Sequence, residues 1–138
     1  MQQPGAGDLL AIAEALERDC GALAQSLAAT ERARPDQLED CCRRHLEAVR
    51  SVCPRISAAA AALRDQGDGP SHLPSGVRDE LAARLERSRS ALQQVAAAYS
   101  RLGGEVSARL GETGGKLLDI RRAGQVLHAY ADAARTPR

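Results

Sequence analysis

Apolar residues recur along this chain in steps of three and four, the spacing that keeps one face of an α-helix out of water. The first stripe is Leu9, Ile12, Leu16, Cys20, Leu23 and Leu27, with Glu17, Arg18, Gln25 and Glu31 on the opposite face. It predicts a helix over 8–33 with Asp8 as its N-cap. Pro35 ends that helix and suits the first turn of a second, over 35–66. The second stripe runs Leu38, Cys42, His45 or Leu46, Val49, Val52, Ile56, Ala59 and Leu63. Pro54 falls inside it, removes one backbone hydrogen bond and should bend the helix near residues 49–50. Glycine and proline crowd residues 67–74, which read as a loop, and Ser75 is the expected N-cap of a third helical segment.

That third segment carries Leu81, Leu85, Ser88, Leu92, Val95, Tyr99, Leu102 and Val106, then Leu110, Thr113, Leu117, Ile120, Gly124, Leu127 and Ala131. Its phase persists through Gly103-Gly104 and Gly114-Gly115, with one extra four-residue step between Val106 and Leu110. The expectation is one helix over 75–134, or two collinear pieces, on the order of 90 Å long. Helices of about 26 and 32 residues cannot cover one of about 60 at 1.5 Å per residue. The stripe beyond Val106 is thus expected to lack an internal partner, which marks 106–134 as a partner-binding segment. Its expected contact residues are Val106, Leu110, Leu117, Leu118, Ile120, Val126, Leu127 and Tyr130. Two other fates satisfy the same stripe: folding back as a fourth helix, or pairing with a second copy in a homodimer.

The chain of 138 residues reads as one all-α domain, an elongated antiparallel bundle of three long helices with the third extended or broken near its glycines. Composition narrows the picture. Phe and Trp are absent and there are two Tyr, so the core must be built from Leu, Ala, Val and Ile. Nineteen basic residues against eighteen acidic ones give no reason for a polyanion partner. Arg84, Glu86, Arg87 and Arg89 alternate in sign and read as a solvated helix face. No nucleic-acid partner and no membrane insertion are expected, because basic residues are not interleaved with Trp or Phe and no run of ~20 apolar residues occurs.

Candidate chemistry is thin. Cys20, Cys41, Cys42 and Cys53 form no CxxC pair, and no signal peptide precedes them, so they read as reduced core residues in the cytoplasm. His45, His72 and His128 make no HxxxH or HxxE pair. A phosphotransfer role would require a polar, accessible His45. No catalytic set, metal or cofactor is expected.

The stretch from Val106 to Tyr130 resembles flagellar export chaperones of the FlgN type, with the related FliT type next. Leu110, Leu117-Leu118, Val126-Leu127 and Tyr130 match the family's apolar positions, and Gly115 matches a glycine that often follows its second Asn. This chain has no Asn, and Thr113 and Gly114 stand at those polar positions. The resemblance implies a cytoplasmic chaperone that binds the C-terminal helices of hook-associated proteins, prevents their premature assembly and delivers them to the export apparatus. The alternative is a coiled-coil dimerisation or adaptor module with no export role.

Overall fold

The computed structural model describes residues 5–65, 73–102, 104 and 114–135, and among these the three-and-four spacing becomes four long helices. They are α1 (Ala6–Arg32), α2 (Leu38–Arg64), α3 (Ser75–Arg101) and α4 (Gly114–Arg135), and no strand occurs among the described residues. Asp8 is not the N-cap but lies one turn inside, where its carboxylate accepts from the Gly5 N–H at 3.3 Å. Residues 35–37 form a turn instead of the start of α2, closed by the Gln37 N–H donating to the Arg34 carbonyl at 2.8 Å. α2 continues through Pro54 without interruption. α3 begins on Pro74 as its cap, with Ser75 as the first helical residue.

Among the described residues α1 packs chiefly on α2 and α3, and α4 packs chiefly on the same two. Cross-helix bonds fix the directions. Ser26 meets His45 and Asp19 meets Arg55, so α1 and α2 are antiparallel. Glu17 meets Arg87 and Glu31 meets Arg101, so α1 and α3 are parallel. Arg135 reaches Glu86, whereas Ile120 lines a groove with Leu92 and Ala96, so α3 and α4 are antiparallel.

The expectation of one helix over 75–134 is therefore corrected. α3 ends at Arg101, Leu102 is extended (φ −65°, ψ 137°), and α4 returns along α3. Two glycines stand where the break begins, and each costs up to about 1 kcal/mol inside a helix, so ending there is cheap. Folding back also covers both halves of the stripe at once: Leu92 and Val95 of α3, and Ile120 and Leu127 of α4, are all 2% exposed or less. At about 1.5–3 kcal/mol per large apolar side chain, that gain far exceeds the cost of the turn. The expectation of an uncovered stripe fails at Ile120, Leu127 and Tyr130, which are buried in the bundle.

The core is aliphatic, with Leu9, Leu16, Leu23, Leu27, Ile56, Leu63, Leu81, Leu85 and Leu127 fully enclosed. Small adjustments of phase appear at the edges. Ala13 is buried where the pattern favoured Ile12, His45 where it allowed His45 or Leu46, and Ala123 where it favoured Gly124. Leu73, at the entry to α3, is 6% exposed and closes one end of the core.

Gly21 sits in the middle of α1 with nothing within 4 Å of where a Cβ would stand. Gly21→Ala is expected to stabilise the fold by about 0.5–1 kcal/mol, through lost chain freedom in the unfolded state. A higher urea midpoint at unchanged slope is the readout; a lower midpoint would show a hidden clash.

Candidate functional site

Two polar layers cross the bundle, each built from one residue of α1, one of α2 and one of α3. In the first, His45 Nδ1 lies 2.7 Å from Ser26 Oγ and its Nε2 is hydrogen-bonded to the Tyr99 hydroxyl. Ser26 donates its only hydroxyl proton to the Leu23 carbonyl at 3.0 Å. Its oxygen must then accept from His45 Nδ1–H, which leaves Nε2 to accept from the Tyr99 O–H. The neutral imidazole is thus matched at both nitrogens. Thr30 extends this layer, its hydroxyl bonding to the Ser26 and Cys41 carbonyls at 3.0 and 3.2 Å.

His45 is 0% exposed, and burial pulls its pKa down from 6.5 to about 4. A side chain so enclosed makes this layer part of the bundle's packing.

The second layer places Cys20, Cys53 and Ser88 together. Ser88 donates its hydroxyl proton back to the Arg84 carbonyl at 3.0 Å. Burial, helped by Asp19 and Cys53, pushes the Cys20 thiol up to about 12. A thiol so raised holds almost no thiolate at neutral pH and is unreactive. None of the four cysteines is in a disulfide; Cys20, Cys42 and Cys53 are buried and Cys41 is half-buried.

Ion pairs bind α1 to both neighbours. Asp19, buried, accepts from Arg55 Nε and Nη2 at 3.1 and 3.0 Å. Glu17 holds Arg87 at 2.9 Å and Arg84 at 3.2 Å, and the hydrogen bond from Arg87 is the main cause that lowers its carboxyl pKa. The stretch from Arg84 to Arg89, expected to be merely solvated, is thus partly an interhelix seam. Arg84 and Arg89 are about a quarter exposed. Exposed pairs of this kind contribute about 0–1 kcal/mol each and act more on alignment than on stability.

Concave surface flanks α4 on both sides. Between α3 and α4 runs a groove of about 380 Å³, lined by Leu92, Ala96, Ile120 and Gly124 and edged by Arg89, Arg121 and His128, with Gln93 and Gln125. Between α2 and α4 a smaller one, about 210 Å³, is lined by Ser57, Ala60, Ala61, Arg64, Asp119, Arg122, Ala123 and Val126. Small side chains shape both: alanines on α2, Ala96 on α3 and Gly124 on α4 leave gaps that a larger residue would fill.

The sequence-derived contact residues divide accordingly. Ile120 is buried yet forms part of the α3–α4 groove, and half-buried Val126 lines the α2–α4 groove. Leu127 is sealed in the core. Tyr130 is 7% exposed, its phenol pKa is raised by burial, and its hydroxyl finds no hydrogen-bond partner among the described residues. Val106 and Leu110 lie outside the described residues, as do the side chains of Leu117 and Leu118. Pattern reading missed Arg89, Gln93, Ala96 and Arg121. Their spacing carries no signal, because the groove exists only once α4 folds back on α3.

Among the described residues, no three His, Cys, Asp or Glu side chains gather as a metal site, and no helix is long and apolar enough to cross a membrane. No family model matches this chain, and neither a curated protein nor a solved structure shows significant similarity to it.

Proposed function

We propose that this chain is a helix-binding chaperone or adaptor, a binding protein and not an enzyme, that receives a partner's amphipathic helix beside α4. The observation that carries the reading is the pair of grooves flanking α4, one lined by Ile120 and the other by Val126. Both residues lie in the stretch that resembles the flagellar export chaperones. Helix-in-groove docking needs an apolar trough open at its ends, with small residues that let a backbone approach. The α3–α4 groove offers the apolar lining, Leu92 and Ile120, and the small residues, Ala96 and Gly124.

In the specific version, the partners are the C-terminal helices of hook-associated proteins, held in the cytoplasm and passed to the export apparatus. The bundle stays closed in this reading, and the partner adds to its surface without replacing α4.

Hydrogen exchange of the full chain, with and without the C-terminal region of a hook-associated protein, tests it. Slower exchange in α4 and around Leu92–Ala96 is the expected result. Unchanged protection there removes the export reading. Sedimentation at several concentrations separates the alternative, since a tight homodimer that protects the same residues marks a dimerisation module.

A further inference from the structure

We infer that the α3–α4 groove selects an acidic amphipathic segment of its partner, with Arg121 as the residue that reads the carboxylates; this rests on the helix-binding reading and names the partner's chemistry.

The groove has an apolar floor and a cationic rim. Leu92 and Ile120, each 2% exposed, present their outer edges to it, while Ala96 and Gly124 stand one turn further along α3 and α4. The four form a trough that runs with the helix axes, so its natural occupant is a helical ridge. Nothing lies within 4 Å of where a Gly124 Cβ would stand, which leaves a notch for an incoming apolar side chain.

The charges are one-sided. Arg89, Arg121 and His128 line the groove, and among the described residues no carboxylate does. The nearest acid on α3, Glu86, is held by Arg89 and, at 3.8 Å, by Arg135, and it also faces His128, so the charge left to the groove is that of Arg121. Asp119 of α4 lines the opposite groove with Arg122, and Asp132, near the end of α4, has its own interaction. Arg121 is exposed and has no ion-pair partner among the described residues. A guanidinium beside an apolar trough offers a paired, directional contact to a carboxylate and repels a basic ridge.

Two fluorescently labelled synthetic peptides serve as probes. Both carry Leu at i, i+3, i+4 and i+7; one has Glu at the flanking positions and its twin has Lys. Anisotropy titrations use the full chain. The Glu peptide is expected to bind and the Lys twin to bind at least about tenfold more weakly. Arg121→Glu should narrow or reverse that preference. Gly124→Leu fills the notch, suits a helix better than glycine, and should abolish binding while circular dichroism stays unchanged. Equal affinity for both peptides, still blocked by Gly124→Leu, overturns the acidic partner and leaves the groove reading standing. Glu-peptide binding that ignores Gly124→Leu, or no binding by either peptide, overturns both.

Discussion

Shortening Leu127 to Ala is expected to cost about 3 kcal/mol and to loosen α4 from its neighbours. Leu127 is 0% exposed, in a stripe whose other buried members among the described side chains of α4 are Ile120, Ala123, Tyr130, Ala131 and Ala134. Half of these six are alanine, so the larger side chains among them carry most of the apolar burial. Removing three carbons from a fully enclosed leucine loses their transfer free energy and leaves a cavity that straight helices close poorly. Val126→Ala, at a half-buried position beside the α2–α4 groove, should cost less than about 1 kcal/mol. Urea unfolding gives both values, and hydrogen exchange locates the loosening in α4. Equal, small costs at the two positions would mean that residues 75–134 run on as one extended helix, with Leu127 wet in the free protein.

Acid is expected to weaken the fold well before its carboxylates titrate. His45 has a pKa of about 4 in the bundle against 6.5 when exposed, because burial disfavours the imidazolium. Between those values the unfolded chain binds a proton that the folded chain refuses. Stability therefore falls as pH drops from about 7 to about 4, by about 3 kcal/mol in all. Glu17 and Glu86 act in the other window. Their pKa values are lowered by Arg87 and Arg89 respectively, so their contribution is full above 4.5 and fades below it. Loss between pH 6.5 and 4.5 thus belongs to the histidine. Urea midpoints measured across that range should slope for the parent chain and stay nearly flat for His45→Gln, which is less stable at every pH. A parent chain with a flat profile would mean that His45 is hydrated or already paired with an acid.

The first three helices are legible in the sequence because their burial comes from a single period. Leu16, Cys20, Leu23 and Leu27 cannot share a face in any conformation but a helix, and all four are enclosed. The reversal after Leu102 is not legible, for a related reason. A stripe that keeps its phase through Gly103-Gly104 states only that each side of the glycines has a face to hide. It does not say whether the second face hides against the first. That choice turns on how much unsatisfied surface α2 and α3 retain, a property of three helices together. The site is less visible still. Ile120 and Val126 stand out in the pattern as apolar contacts, but the α3–α4 groove depends on what is missing at Ala96 and Gly124, on two different helices. Arg121, beside Arg122, looks in the sequence like any solvated arginine, and only the return of α4 along α3 sets it at the groove's edge.

The Ser26–His45–Tyr99 layer has a consequence for how a bundle of leucine and alanine finds a single alignment. Aliphatic ledges are nearly interchangeable, and a helix that slides by one turn meets another ledge much like the last. An imidazole offered one donor and one acceptor is not interchangeable. A one-turn slip of α1 or α3 would strand it in hydrocarbon, at a cost of about 1–3 kcal/mol for each polar atom left bare. In a core with no phenylalanine or tryptophan to interlock, this triplet works as the key that admits one register and refuses its neighbours.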